Sequence, residues 1–278
     1  MLISLPSTRV DPLDATRSTP VPPLGTDASR FDEIAGMSGV KQRLGSIALS
    51  PTAAAWSGLA GAVRPGGILL HGPAGPAVPS LVRALAGELG VPFVVLDLAE
   101  WCDLDLGQAG IGILHVTGLD EVVDSGSDAV ARLTRALDRQ HRDGDPFRPL
   151  VVATSSAPWE LDTALFDTGR LDRLVFVPPP DWNARHAQLS ERGRALGLDL
   201  SVRLDELTAA TAGWTGADLD RLVVRIASGD SGGLLDVVAE VGSTASMWME
   251  RARVMVNFWH DRGMVDDLVG YLRRIGAA

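Results

Sequence analysis

The sequence predicts an α/β protein: a parallel five-stranded sheet flanked by helices, followed by a smaller α-helical lid domain with a further helical segment after it. Two observations lead to this prediction. Short apolar and β-branched runs alternate with helical stretches up to residue 177, which is typical of a parallel sheet with crossover connections. After the triple proline at 178–180 the pattern is helical to the end, so we place the domain boundary there.

Each element of this architecture is predicted from its own run of residues. The five strands are predicted at 67–71, 92–98, 111–116, 150–154 and 173–177. The helices between them are predicted at 40–49, 80–89 and 128–141. Residues 1–29 are rich in Pro, Ser, Thr and Asp, so we expect a disordered or extended arm. The expected domains are then an α/β domain at 30–179, a lid at 180–242 and a C-terminal helical extension at 243–278.

Composition excludes several classes of partner. The net charge of −10 argues against nucleic acid and against an anionic membrane surface. No apolar run approaches the roughly 20 residues that span a bilayer. The single Cys102 permits no internal disulfide, which fits a reducing compartment. We therefore expect a cytoplasmic protein without membrane insertion whose partners are other proteins.

The connection after the first strand occupies the position of a phosphate-binding loop but lacks most of its residues. The working pattern is G-x-x-x-x-G-K-[ST], in which backbone N–H groups wrap the phosphates, the lysine contacts them and the hydroxyl binds Mg²⁺. Here Gly72 is kept, whereas Ala77, Val78 and Pro79 occupy the other three positions. The whole chain has one lysine, Lys41, and the prolines at 76 and 79 each remove an N–H donor. We expect no cofactor and no metal, with weak binding of ATP or ADP as an open alternative.

Several motifs in a fixed order resemble those of the AAA ATPases, in particular the branch that contains the membrane-protease, proteasomal and protein-unfolding members. The resemblance covers about residues 31–228 and implies a P-loop NTPase-like fold. It is carried by the segments Phe31–Met37, Pro65–Pro73, Leu161–Leu165, Gly169–Arg173 and Thr211–Leu219. It also marks Gly36, Gly72, Gly75 and Gly216 as remnants of a nucleotide site.

Two further positions depart from the family pattern. The family's third strand ends in Asp-Glu, which orders Mg²⁺ and polarises the attacking water. Our preferred alignment puts Thr117-Gly118 there, while a shifted alignment would use Asp120-Glu121, which otherwise forms a solvated turn. At the end of the fourth strand, Ser156 takes the place of the Asn that senses the γ-phosphate in the family.

The connection between the second and third strands is also short for the family. About a dozen residues, 99–110, replace a loop with a pore-facing aromatic residue and a full helix. Trp101 could stand in for that aromatic residue, but we prefer a role in covering the edge of the sheet. Polypeptide threading is therefore not expected.

The resemblance also implies retained features. Arg170 and Arg173 match the paired arginines that reach the γ-phosphate of a neighbouring subunit; alternatively, this segment pairs locally with acidic residues for folding. Gly216-Ala217-Asp218 matches the start of a lid helix near adenine, although a plain turn and helix would also explain it.

The C-terminal extension carries an apolar helical stripe with Trp248, Met255 and Trp259 on one face. We expect this stripe to be core that folds back on the lid, with a partner-binding groove or dimer face as the alternative.

Together these features predict a catalytically inactive AAA-type subunit that acts by assembly in a hetero-oligomer, beside an intact AAA subunit or on a large complex. Arg170 and Arg173 would act in trans. Two alternatives stay open: an ATPase that uses Gly72, Gly75 and Asp120-Glu121, and a plain scaffold on an unrelated complex.

Overall fold

The computed structural model describes residues 29–48, 65–100, 112–124, 128–143, 148–229, 233–259 and 265–275. Five parallel strands form one sheet in the order β2-β3-β4-β1-β5, which confirms the predicted fold class. The strands are β1 (Gly67–His71), β2 (Phe93–Asp97), β3 (Ile113–Thr117), β4 (Leu150–Ser155) and β5 (Arg173–Phe176). Cys102, Trp101 and most of the arm lie outside the described residues.

The sheet is covered by helices on both faces, as a parallel sheet requires. Alternate residues of β1 separate the two layers: Ile68 and Leu70 pack with the helices on one face, and Leu69 packs into the cluster on the other. The first face is covered by α1 (Ser38–Ala48) and α2 (Ala77–Leu89). The second is covered by α3 (Leu119–Asp124), α4 (Ala129–Asp143), α9 (Ala245–Trp259) and α10 (Asp266–Arg274).

The lid is a separate helical layer with its own apolar core. It contains α5 (Trp182–Ala195), α6 (Leu204–Ala210), α7 (Gly216–Ala227) and α8 (Leu234–Val241). Asp181 caps α5 by accepting from the Ala184 N–H, so the helix begins directly after the proline-rich boundary. Short 3-10 helices at Phe31–Glu33, Pro158–Glu160, Thr163–Phe166 and Ser201–Arg203 complete the connections.

The C-terminal extension packs on the α/β domain, whereas the sequence led us to expect that it would fold back on the lid. Met249, Ala252 and Met255 of α9 belong to the same apolar cluster as β1, β3 and β4. The reason is that this side of the sheet is apolar and needs a cover, which α4 supplies only in part. Met247 and Val254 point outward, at 64% and 70% exposure. The stripe containing Trp248 and Met255 is therefore core; the Trp259 side chain lies outside the described residues.

Candidate functional site

The candidate site is a cleft of about 230 Å³ at the carboxyl ends of β1, β3 and β4. Ligands of open parallel sheets bind at this edge, because the strand-to-helix loops converge there. The cleft is lined by the loop after β1, the loop after β3 and the end of β4. The lining residues are Leu70, Gly72, Pro73, Ala74, Gly75, Val78, Pro79, Thr117, Gly118, Leu119, Asp120, Glu121, Thr154, Ser155 and Ser156.

The loop after β1 offers few donors to an anion. The N–H of Gly72 donates to the Ser155 carbonyl at 3.3 Å. Pro76 is the N-cap residue of α2, and Pro79 is the third residue of this helix. The N–H groups at the start of a helix are free to bind an anion, but proline has no N–H, so these two positions offer no donor. Among the described residues that line the cleft, none is Lys or Arg. Lys41 instead donates its ammonium group to the Ile34 carbonyl.

Three glycines of the nucleotide-site pattern lie in close contacts within the protein. A Cβ on Gly72 would lie 2.1 Å from the Val177 carbonyl oxygen, and one on Gly75 would lie 3.1 Å from the Gly216 Cα. Gly36 has φ of +63°, and a Cβ there would lie 2.0 Å from Asp181 Oδ1. Gly72 therefore has no room for a side chain, the contact at Gly75 is tight, and the positive φ at Gly36 favours glycine.

The acidic pair after β3 is split between two environments. β3 runs to Thr117, so Thr117-Gly118 stands at the strand end, as in the preferred alignment. Asp120 accepts from the Ser155 hydroxyl at 2.5 Å, and from the Ser156 N–H at 2.7 Å and hydroxyl at 2.8 Å. Describing Asp120 as part of a solvated turn is therefore wrong, since its carboxylate joins α3 to the end of β4. Glu121 is exposed and lines the cleft.

The residues of the cleft do not fit a magnesium-bound triphosphate. Such a ligand needs a cation, a hydroxyl on the metal and a free carboxylate at the end of β3. Here those positions hold Val78, Pro79 and Thr117. Of the two carboxylates that line the cleft, Asp120 is already hydrogen-bonded to two serines, and Glu121 lies four residues beyond the end of β3. Within the described residues, no group of three or more His, Cys, Asp or Glu side chains could hold a metal ion.

A second cleft of about 410 Å³ lies between the segment before α1, the start of α2 and lid helix α5. Ile34, Met37 and Ala184 give it an apolar wall, whereas Glu33 and Glu191 add carboxylates. Arg192 lines it too, 3.8 Å from Asp220.

The two candidate arginines occupy different environments. Arg170 makes a two-pronged ion pair with Asp138, at 2.7 Å and 3.0 Å, and donates to the Ala164 carbonyl at 2.6 Å. Hydrogen bonding to Arg170 lowers the pKa of the Asp138 carboxyl below its ordinary value. Arg173 is exposed, and its guanidinium donates to the Asp172 carbonyl at 3.4 Å. Of the pair, Arg173 is thus the one presented to solvent.

Asp218, in the motif at the start of the lid helix, is a buried structural carboxylate with 1% exposure. It forms a capping box with Thr215 and accepts from the Thr244 N–H and hydroxyl at 3.0 Å and 2.8 Å. Burial by itself raises the pKa of Asp218, but the hydrogen bonds from Thr244, Arg221 and Thr215 outweigh it and hold the pKa below the ordinary value.

Two buried histidines carried no signal in the sequence. His71 is 1% exposed and contacts the Phe176 ring at 5.7 Å; His115 is 1% exposed and stacks on Phe93 at 6.1 Å. Within the described part of the chain, neither ring nitrogen of His115 has a hydrogen-bond partner. Burial lowers the pKa of each histidine to about 4, so both are neutral at pH 7.

Contacts between segments that are distant in the sequence were also not predicted. The Trp248 indole N–H donates to the Ser156 carbonyl at 2.7 Å across 92 positions. No spacing or motif signals such a pair, because neither residue type is tied to a local pattern. Serine and tryptophan here meet only through the packing of α9 on the sheet.

This strand order, with a glycine-initiated loop between β1 and α2 at the carboxyl edge, defines the nucleotide-binding α/β proteins of the P-loop class. Comparison with known proteins makes the assignment narrower. No family model matches the chain. It is 33% identical over 220 residues to the ATP-dependent zinc metalloprotease FtsH of Methylibium petroleiphilum, covering 70% of this chain and 35% of that protein. With FtsH of Thermobaculum terrenum it shares 32% over 246 residues, covering 80% and 37%.

A solved structure from work on the structural basis for katanin self-assembly has the same fold, with a TM-score of 0.59 and 21% identity. The matched region covers 80% of this chain and 91% of the chain in the solved structure. The sequence similarity to FtsH and the shared fold support the AAA ATPase family for this chain. It spans about one third of the length of the curated relatives that it matches. Among the described helices, none has the length and apolar character needed to cross a membrane.

Proposed function

We propose that this chain is a catalytically inactive AAA-type subunit that acts as a structural or regulatory part of a larger protein assembly. The observation that carries the proposal is the cleft at the carboxyl edge, which has no Lys or Arg among its described lining residues. Its Asp120 is engaged by Ser155 and Ser156 rather than held ready for a metal. The partner would be an intact AAA subunit in a hetero-oligomer.

The missing contacts set the size of the expected defect. A hydrogen bond to a charged group contributes about 1.5–3 kcal/mol. Losing both the lysine and the hydroxyl contact therefore weakens triphosphate binding by roughly 10²- to 10⁴-fold.

The test is a titration of the purified protein with a fluorescent ATP analogue, with and without Mg²⁺. The wild-type chain should show no magnesium-dependent binding at micromolar concentrations. The matched variant restores the loop by Ala77→Gly, Val78→Lys and Pro79→Thr, and it should gain binding because all four pattern positions are then filled. Micromolar, magnesium-dependent binding by the wild type would contradict the proposal.

We assign the trans-acting role to Arg173 ahead of Arg170, because Arg173 is exposed whereas Arg170 is bound to Asp138. A planar cation at a neighbour's γ-phosphate stabilises transition-state charge and accelerates hydrolysis by about 10³-fold or more. In a reconstituted assembly with the co-purifying AAA subunit, Arg173→Ala should reduce ATP turnover at the shared sites.

The matched control for that experiment is Arg253→Ala, since Arg253 is an exposed arginine on α9, outside the 169–173 turn. It should leave turnover unchanged. Equal turnover in the wild type and in Arg173→Ala would exclude the trans-acting role. A native mass that corresponds to one copy docked on unrelated proteins would favour a plain scaffold instead.

A further inference from the structure

The first turn of lid helix α7 is bonded to three separate parts of the chain. Gly216, Ala217 and Asp218 form this turn. Each of the three contacts a different partner: the loop after β1, helix α5 and the segment that leads into α9. Because the loop belongs to the α/β domain and α5 to the lid, the turn connects both domains.

The contact with the loop is made by backbone atoms. The Ala217 N–H donates to the Ala74 carbonyl at 3.2 Å. Beside it, Gly75 and Gly216 pack back to back, since a Cβ on Gly216 would lie 2.9 Å from the Pro76 Cδ and 3.1 Å from the Gly75 Cα. The loop and the lid thus touch directly, and side chains of ordinary size are excluded from between them.

The contact with α5 fixes the turn within the lid. The Gln188 amide donates to the Gly216 carbonyl at 2.7 Å and to Asp220 at 3.3 Å. Asp181 adds a tie at the domain boundary, where its carboxylate caps α5 and also accepts from the Met37 N–H at 2.7 Å. Rotation of the lid as a unit would therefore break the bond from the Met37 N–H to Asp181 and the bond from the Ala217 N–H to the Ala74 carbonyl.

The third contact leads into a strap, by which we mean residues 243–259. Asp218 accepts from Ser243 at 3.2 Å and from Thr244 at 2.8 Å, at the start of this strap. The strap then crosses to the α/β domain, where Trp248 donates to the Ser156 carbonyl at 2.7 Å and stacks on Phe176 at 5.6 Å.

We propose that the Gly216-Ala217-Asp218 turn and the strap clamp the lid to the α/β domain in one fixed arrangement, without any nucleotide between them. Lids that close around ligands are held by the ligand itself, and they move when it leaves. In this chain, protein–protein bonds take that place. A ligand shifts a conformational equilibrium only through different affinities for two states. A clamped lid has one state, so the chain presents a constant shape to its assembly.

The experiment measures the distance between the domains in the full chain. Spin labels are placed at Arg135→Cys on α4 and Val202→Cys in the lid, with Cys102→Ser to remove the native thiol. Both label positions are exposed, Val202 at 92%. Without nucleotide, the distance distribution should be single and narrow, and millimolar ATP with Mg²⁺ should leave it unchanged. A broad or two-peaked distribution in the unliganded protein would overturn the proposal.

A pair of glycine variants tests the contact itself. Gly216→Ala inserts a methyl group between the lid and the loop, so it should broaden the distance distribution and lower the Tm. Gly45→Ala on α1 is the control, because no described atom lies within 4 Å of its Cβ position. It should leave the distance unchanged and raise the Tm by about 1–3 °C through helix propensity. An unchanged distribution in Gly216→Ala would exclude the contact.

This inference goes beyond the proposed function and can fail separately from it. The distance without nucleotide tests the clamp, whereas the titration with the ATP analogue tests the inactive site. If the protein binds ATP at micromolar concentrations and the distance distribution between the labels is single and narrow, only the proposal of an inactive site is overturned. A mobile lid in a protein that binds no ATP would overturn only the clamp.

Discussion

The two buried histidines make the stability of this protein depend on pH between about 4 and 6.5. Burial lowers the pKa of His71 and His115 from 6.5 to about 4. Between these values the unfolded chain binds a proton at each histidine and the folded chain does not. Protonation therefore costs no stability above pH 6.5, and the free energy of unfolding falls progressively as the pH drops from 6.5 towards 4.

The magnitude follows from the shift. One pKa unit corresponds to about 1.36 kcal/mol, so at pH 5 each histidine lowers the free energy of unfolding by about 2 kcal/mol. The two together remove about 4 kcal/mol, which is a large part of the 5–15 kcal/mol typical of a domain. We expect the protein to lose much of its stability between pH 6.5 and pH 5.

The assay is urea unfolding at pH 7, 6 and 5, followed by circular dichroism. His115→Leu should remove about half of the pH dependence. It should also raise stability at pH 7 by about 1–3 kcal/mol, since both ring nitrogens of His115 are buried without a partner within the described residues. Ile113→Leu on the same strand is the control, because it alters packing independently of pH. An unaltered pH dependence in His115→Leu would refute the reasoning.

Three further predictions concern the contacts that hold the site and the lid. Asp218→Ala should lower the free energy of unfolding by about 3 kcal/mol, because it removes a buried acceptor that serves several donors. Urea unfolding measures this loss. Asp236→Ala is the control and should cost less, because Asp236 caps α8 from an exposed position. Arg170→Ala should cost about 1 kcal/mol by the same method, since its pair with Asp138 is partly exposed. Trp248→Ala should cost about 3–5 kcal/mol, whereas Trp248→Phe should keep most of the packing and lose the hydrogen bond, and equal effects would contradict this account.

The strands and the departures from the nucleotide-site pattern were readable from the sequence. Apolar runs separated by helical stretches predicted all five strands to within a few residues. The preferred placement of Thr117-Gly118 at the end of β3 agrees with the structure. These features are local, because residue type and spacing along a short segment determine them.

The destination of α9 and the environment of Asp120 were not readable in this way. Asp120 meets its serine partners across 35 and 36 positions, and Trp248 meets Ser156 across 92. Local patterns contain no information about such pairs. Local patterns also left open whether Arg170 pairs with an acidic residue of this chain or is presented to a neighbouring subunit, since the same segment, Gly169–Arg173, is expected in both cases.

The sequence by itself determined that this chain folds as an α/β protein of the AAA type, and that Val78 and Pro79 stand where the phosphate-loop pattern has Lys and Ser or Thr. The tertiary structure decided which polar groups remain available: it pairs Arg170 with Asp138, exposes Arg173 and packs Gly75 against Gly216. The physical reason is that a side chain's chemistry is fixed by its type, whereas its availability depends on which groups from distant parts of the chain fold against it.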